Sequence, residues 1–427
     1  MGISLKNQRI LLLFDHPLAL RSYIETSLID ELKLGLEVRI IFIGDSRGIS
    51  DEIIDLNISS FHSFVLSLYA NIYWNQIAYR ARSIQNRTWY SRNDLKGKFS
   101  ASMIALIYNK YISVSPIKLC KLFLFKFFKL LHSKINDLEI SKIIYITVGG
   151  TNTISDFLYD HYHQKFDVIT ILENWDNMSS KAVFAFPPRK IGVWGDQSVN
   201  FAKNIHNINR KNVRPVGNPR IKWLLDNVKS NQSKTSIFFG GGSVDLDMEI
   251  EYLIATIEIA KTFKLKINYL PHPKNYKKLQ EIISKQNLSE VNFIGSHYLP
   301  NSNDQILLPK LIDYLEPYQS AKIFVSSLST MNLEAALLKI PSVAIDLSTN
   351  LSILPNKISD RHDHIFEAKQ MGIFNFVSSI NEYDKLLRNL LESNGIENTM
   401  GNSKSDLNYF VKTDKPFIDN FLNLINS

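Results

Sequence analysis

Short apolar runs closed by polar loop residues alternate along the chain with stretches whose apolar positions recur at helical spacing. The first run, Arg9-Ile10-Leu11-Leu12-Leu13-Phe14, meets Asp15-His16-Pro17 at once. An uninterrupted run of this kind reads as a strand buried on both faces, because alternation is expected only where one face meets water. Ser22 to Leu34 then predicts a helix, Gly35 its C-cap, and Val38 to Ile43 the next strand. Strand, helix and strand in this order imply a right-handed crossover and a parallel sheet. Further runs lie at Ile143–Val148, Asp167–Leu172 and Lys190–Trp194, with a helix-like stretch from Ile154 to His163. Residues of about 53–135 form a different block, rich in Phe, Tyr, Leu and Arg, and read as long helices inserted into the sheet.

A second series begins after the turn Gly217-Asn218-Pro219 and the polar run Ser230-Asn231-Gln232-Ser233-Lys234. Its predicted strands are Ser236–Phe239, Lys266–Leu270, Lys322–Val325 and Ser342–Ile345, with a helix from about Asp247 to Thr262. The expected organisation is an N-terminal Rossmann-like domain over 1–225, a second Rossmann-like domain over 234–410, and a C-terminal helix within 411–427 that returns to the first domain. At 427 residues and 45% hydrophobic content the chain has material for two cores.

The single Cys120 excludes a disulfide framework and a thiolate metal site, and suits a reducing compartment. The run after Arg9 is too short for a secretory signal, and no stretch reaches the roughly 18 apolar residues that span a bilayer. A cytoplasmic protein is expected, peripheral on the membrane if it meets one. The net charge of +8 suggests an anionic partner, but without a zinc-finger spacing, an RNP-type motif or a long basic block, nucleic acid is not expected.

Chemistry-bearing residues gather where strands end. Gly240-Gly241-Gly242-Ser243 stands between a strand and a helix, where backbone amides can approach phosphate; an ordinary strand-to-helix turn explains it equally. Pro271-His272-Pro273 follows a strand, and an imidazole fixed between prolines suits a leaving phosphate as well as a loop packed on the sheet edge. Ser326, Ser327, Ser329 and Thr330 precede a helix that carries Glu334, a donor-rich cradle in which Glu334 would accept from a ribose or sugar hydroxyl.

His272-Pro273, Ser326-Ser327 and the segment from Glu334 through Pro341 to Ile345 together resemble the donor site of GT-B transferases, nearest to capsule and surface-polysaccharide enzymes, CMP-sugar sialyltransferases and CDP-glycerol glycerophosphotransferases. Val216-Gly217-Asn218-Pro219-Arg220 is similar to the interdomain turn of the glycerophosphotransferases. The resemblance implies two Rossmann-like parallel-sheet domains facing across a cleft, with His272, Ser326 and Ser327 on the phosphates of a CMP-, CDP- or UDP-linked donor and no further cofactor. It also implies transfer of a sugar or polyol phosphate to a surface polysaccharide or lipid-linked glycan, with inversion. UDP-sugar 2-epimerases share this fold and parts of these loops, so epimerisation is the alternative, as is a non-catalytic nucleotide-sugar-binding component of a capsule assembly complex.

In the first half, Glu173-Asn174-Trp175-Asp176 follows a strand: Trp175 would stack a sugar, and Glu173 or Asp176 would act as base, unless the loop is an Asx-rich turn. Asp15 and His16 are the other candidates for this role. Gly150 and Thr151 either contact the acceptor or only turn the backbone. Over 118–132, Lys118, Lys121, Lys126, Lys129 and His132 fall on one arc of a predicted helix, opposite a Phe and Leu face, which fits an anionic membrane surface or a core helix with a solvated stripe. His362-Asp363-His364 lacks a third metal ligand at a recognisable offset and reads as a loop near the donor site.

Overall fold

The computed structural model describes residues 8–44, 52–57, 59–77, 80, 108–109, 115–148, 153–181, 184, 186–229, 233–242, 246–272, 275, 279, 282, 290–294, 309–346, 358–393 and 404–427. Two units divide the chain: Met1–Pro219 with His362–His364 and Asn408–Ser427, and Arg220–Arg361 with Ile365–Leu407. The division falls at the Gly-Asn-Pro turn, inside the stretch from Gly217 to Ser236 in which the boundary is expected, and His362–His364 are grouped with the first unit.

The first unit is built on a parallel sheet in the order β3-β2-β1-β4-β5-β6-β7. Its strands are β1 (Arg9–Phe14), β2 (Glu37–Phe42), β3 (Ile53–Asp55), β4 (Lys142–Thr147), β5 (Asp167–Leu172), β6 (Lys190–Val193) and β7 (Val213–Pro215). Between them lie α1 (Pro17–Glu25), α2 (Leu28–Lys33), α3 (Ser60–Ile77), α4 (Pro116–Phe123), α5 (Phe125–Asn136), α6 (Thr153–Tyr162) and α7 (Asp196–Asn204). The apolar run of β1 behaves as its sequence requires. Leu11 and Leu13 join one core with Tyr69, Phe127 and Leu131, while Ile10, Leu12 and Phe14 join the core on the opposite face with Tyr23, since successive side chains of a strand point to opposite faces.

Three expectations change here. The helix predicted from Ser22 to Leu34 is two helices, because Ser27 adopts φ 59°, a left-handed conformation that a continuing helix does not contain. The block at 53–135 is not wholly helical: Ile53–Asp55 is the edge strand β3, paired with β2. The predicted helix at 118–132 breaks at Leu124 (φ −100°, ψ 15°) into α4 and α5.

The second unit carries a parallel sheet in the order β10-β9-β8-β11-β12-β13, formed by β8 (Ser236–Gly240), β9 (Lys266–Leu270), β10 (Val291–Phe293), β11 (Ala321–Ser327), β12 (Ser342–Ile345) and β13 (Asn375–Val377). Its helices begin with α8 (Pro219–Asn227), α9 (Leu246–Phe263), α10 (Leu315–Ser320) and α11 (Thr330–Leu337). They continue with α12 (Ile358–Arg361), α13 (Asp363–Gln370) and α14 (Ile380–Glu392). The chain then passes through α15 (Lys404–Phe410) and ends in α16 (Phe417–Asn426).

In the first unit α16 lays Phe417, Phe421, Leu424 and Ile425 into the β1 core, each such burial stabilising by about 1.5–3 kcal/mol. Two glycines admit the segment that leads to it. A Cβ on Gly195 would lie 2.5 Å from the carbonyl carbon and oxygen of Phe410, and one on Gly217 (φ +86°) would lie 2.4 Å from the Lys412 carbonyl oxygen. Lys412 N donates to Trp194 O at 2.7 Å between them. Gly195→Ala and Gly217→Ala are therefore each expected to lower unfolding stability by about 1–3 kcal/mol through overpacking and backbone strain. An unchanged denaturant midpoint in both variants would contradict this account of the C-terminal segment.

Candidate functional site

In the first unit the chain order reverses between β1 and β4, the place where open parallel sheets leave a crevice at their carboxyl ends. Phe14 pairs with Ile146 and Thr147 with Leu172, so the residues that follow, Asp15 and Glu173, flank Thr147 across three adjacent strand ends. Glu173 is only 5% exposed. Its Oε1 accepts from the Tyr23 hydroxyl at 2.9 Å, its Oε2 from Asn218 Nδ2 at 2.7 Å, and its amide donates to Thr147 O at 2.8 Å. Burial lifts the carboxyl to about 8, against the opposing effect of the Tyr23 hydrogen bond. At neutral pH it is therefore mainly protonated, an acid rather than a base.

Asp15 Oδ2 accepts from Tyr145 and, at 2.9 Å, from Thr147 Oγ1. Its Oδ1 is buried with no partner among the described residues. Burial raises Asp15 to about 6, less than it would without those two donors. His16 Nδ1 accepts from Leu18 N at 3.1 Å and caps α1, which leaves the ring proton on Nε2. Burial and then the charge of Lys181 depress its pKa to about 4, so it is neutral at pH 7.

After Glu173 the chain makes a π-helical turn, Asn177–Lys181, an uncommon geometry that recurs at functional sites. Lys181 holds Asp176, its Nζ 2.8 Å from Oδ2 and donating to Oδ1 at 3.1 Å, and Ser180 Oγ donates to Oδ2 at 3.1 Å. Burial alone would raise Asp176, but this ion pair prevails and leaves it near 2. A carboxylate so committed is a weak base, which separates Asp176 from Glu173, the other candidate base of this loop. Trp175 does not offer a sugar platform. It is 3% exposed, its indole N–H donates to Gln197 at 2.6 Å, and its ring meets the edges of His364 and Phe410. His364, depressed to about 3 by burial, is a neutral packing residue bonded through Nδ1 to Ser179 Oγ at 2.8 Å. It belongs to this unit and not to a donor-site loop. Gly150 and Thr151 lie outside the described residues.

In the second unit the order reverses between β8 and β11, and Gly240 pairs with Ser326. The glycine, His272 and serine segments thus share one end of one sheet. A Cβ on Gly241 would lie 2.7 Å from His272 N, which explains the glycine by the close approach of Pro271-His272. The amides expected to bind phosphate are engaged: Gly241 N donates to Leu270 O at 2.8 Å, and Gly242 N to Glu249 Oε2 at 2.7 Å. Ser243 and Pro273 lie outside the described residues.

Ser326 is wholly buried and donates to Asn332 Oδ1 at 2.7 Å, the same oxygen that accepts Ser329 N at 3.0 Å. Asn332 Nδ2 in turn donates to Ser342 Oγ at 3.0 Å. Ser326 therefore fastens the loop between β11 and α11 rather than meeting a ligand. Ser327 differs: it is 3% exposed, and its Oγ has no partner among the described residues. Thr330, partly exposed, opens α11. Glu334 is not a ribose acceptor, because its Oε2 accepts from Arg220 Nη2 at 2.9 Å and from the Tyr318 hydroxyl at 2.8 Å in the core. Burial opposes the charge of Arg220, but Glu334 beside it outweighs that and holds the guanidinium charged.

Sequence reasoning missed Tyr23, Asn332 and Tyr318 as partners of these groups. Only Asn332, three residues past Ser329 at a helix start, carried a local signal.

Two doubly wound units with loops of this kind define the GT-B-like fold. No family model matches the chain, and no curated protein resembles it in sequence. Among solved structures it is similar to the UDP-GlcNAc 2-epimerase of Methanocaldococcus jannaschii, at 13% identity and a TM-score of 0.53 over 98% of this chain and 99% of that one. It is also similar to the Neisseria meningitidis UDP-GlcNAc 2-epimerase bound to UDP-GlcNAc, at 13% identity and 0.52 over 98% and 100%. The Rickettsia bellii UDP-N-acetylglucosamine 2-epimerase gives 11% and 0.53 over 98% and 96%. Likeness at this identity establishes the shared fold.

Two outcomes are expected from these geometries. Ser326→Ala should destabilise the fold by about 1 kcal/mol by removing one of the two buried donors to Asn332 Oδ1, while Ser327→Ala should leave unfolding unchanged; the reverse order in thermal melts would contradict the assignment. Glu173, raised from 4.5 to about 8, contributes stability that is complete below 4.5 and is lost as pH rises through 8. Relative to wild type, Glu173→Gln should gain stability between about pH 5 and pH 8, by at most ~1.4 kcal/mol per unit. Parallel stability curves for the two proteins over that range would show that the carboxyl is ionised throughout.

Proposed function

We propose that the protein is a nucleotide-sugar enzyme with chemistry of the 2-epimerase kind. The bond between the anomeric carbon of a UDP-linked sugar and its phosphate oxygen breaks with its electron pair leaving on UDP, and the proton on the neighbouring carbon is lost to give a double bond. A proton then adds to that carbon while UDP, or water with release of UDP, adds to the anomeric carbon. The observation that carries this reading is Glu173, a buried carboxyl held near neutrality at a strand end of a GT-B-like fold. Inverting the carbon next to the anomeric centre requires a proton to leave one face and return to the other. That proton is not acidic until the bond to the leaving phosphate weakens. A carboxyl near 8 exchanges protons readily at neutral pH, whereas Asp176 near 2 does not. Asp15, near 6 with one oxygen unpartnered among the described residues, is the second proton-transfer group.

Within the second unit taken by itself, the Ser327 hydroxyl, the start of α11 and His272 gather at one end of the sheet and are suited to phosphate. The solved neighbours support a uridine nucleotide, since those from M. jannaschii and N. meningitidis were determined with UDP-GlcNAc.

Transfer to a glycan acceptor is the second reading. It is favoured by the lysine-flanked apolar surface of α4 and α5, which suits a lipid-linked acceptor.

The test is incubation with UDP-GlcNAc alone, with UDP release and the sugar's configuration followed by NMR. Acceptor-independent turnover is expected, falling about 100- to 10,000-fold in Glu173→Gln with nucleotide affinity nearly unchanged. Turnover that appears only with an added glycan acceptor selects transfer instead. Nucleotide binding with no turnover under either condition would leave a binding component and remove both enzymatic readings.

A further inference from the structure

The apolar residues of α4 and α5 fall into two sets, and on α5 the two sets lie on different faces of the same helix. Phe127, Phe128, Leu131 and Ile135 enter the first unit's core, as a core helix requires. Leu122, Phe123, Phe125 and Leu130 remain outside, 71%, 49%, 64% and 48% exposed. Phe61 of α3, 52% exposed, lies beside Phe123 with ring centroids 6.3 Å apart and extends the patch. The lysines are not segregated on an arc opposite the apolar face. On α5 the exposed residues include Phe125, Lys126, Lys129, Leu130 and Lys134, so Phe125 and Lys129, Lys126 and Leu130, and Leu130 and Lys134 are neighbours one turn apart.

The charges carried by α3, α4 and α5 themselves have one sign. Residues 116–136 contain five lysines and no Asp or Glu, and α3 contains no charged residue. Lys121 pairs with Asp160, while Lys118, Lys126, Lys129 and Lys134 form no ion pair among the described residues. A protein interface concentrates its apolar centre and is depleted in lysine. Lysines interleaved with aromatic tips suit a bilayer surface instead, where rings enter the acyl boundary and ammonium groups stay level with the phosphates.

We propose that this face docks on an anionic lipid bilayer through Phe125, Leu130 and their neighbours, steered by Lys126, Lys129 and Lys134. The inference is independent of the reaction proposed above.

The experiment is flotation of the full chain with vesicles of equal parts phosphatidylglycerol and phosphatidylcholine, against phosphatidylcholine alone. Wild type should float with the former only. Each lysine at an anionic surface strengthens binding about fivefold, so Lys126→Glu, Lys129→Glu and Lys134→Glu together should weaken partitioning by about a hundredfold or more. Phe125→Ser with Leu130→Ser should weaken it by about tenfold or more. These positions are exposed, so both variants should fold, as circular dichroism would verify, and should keep wild-type nucleotide affinity. Absence of wild-type flotation, equal flotation with neutral vesicles, or flotation unaffected by either variant would overturn the proposal. So would a wild-type dimer, seen by light scattering, that Phe125→Ser with Leu130→Ser dissociates, since a second copy would then cover the face.

Discussion

A carboxyl group buried at the end of a parallel strand with two neutral donors is the constraint around which the first unit is arranged. Glu173 cannot be ionised there cheaply, since the Tyr23 hydroxyl and the Asn218 amide do not carry the charge that would balance it. Three elements distant in sequence must nevertheless meet to supply those donors. Tyr23 is held on α1 by ring contacts with Phe14, Phe417 and Phe421. The C-terminal helix thus packs against the residue that orients the carboxyl, and its apolar burial serves site geometry as well as stability.

Neighbouring acids at the same sheet edge diverge for identifiable reasons. Asp176 has a lysine five residues on, brought back to it by the π-helical turn, and stays ionised. Asp15 has two hydroxyl donors on one oxygen and lies between the extremes. Environment alone thus separates the proton affinities of carboxyls that lie close together in the fold. Burial shifts the two nearby histidines the other way, keeping His16 and His364 neutral at physiological pH.

Much of the fold was legible in the chain. Runs that fill both faces of a parallel sheet, such as Arg9–Phe14, Asp167–Leu172 and Ser342–Ile345, are long enough to state their conformation. The three-residue strands β3, β7, β10 and β13 are too short to show a period and are set by pairing with strands already in place. Asp15, Glu173 and the Ser326-Ser327 pair were legible as strand-end groups. Their states were not, because burial and partners decide them: Glu173 and Tyr23 are 150 residues apart, and Ser326 is engaged by Asn332 while the Ser327 hydroxyl, also buried, has no partner among the described residues. Trp175 misled for the same reason, since an indole suited to sugar stacking is equally suited to a core with Gln197 to satisfy its N–H.

The turn Gly217-Asn218-Pro219-Arg220 concentrates these dependencies. Asn218 donates to Glu173 in the first unit, and two residues later Arg220 donates to Glu334 in the second. Gly217 can occupy φ +86° beside the Lys412 carbonyl only because it lacks a Cβ, and Pro219 then fixes the start of α8. Loss of the Asn218 bond would alter the donor set of Glu173, and loss of the Arg220 bond would leave Glu334 in the core of the second unit without its counter-charge, which is a costly state for a carboxylate. The proton affinity of Glu173 and the anchoring of the helix that follows the serine loop are therefore tied to one four-residue segment, which makes that segment a structural determinant of both.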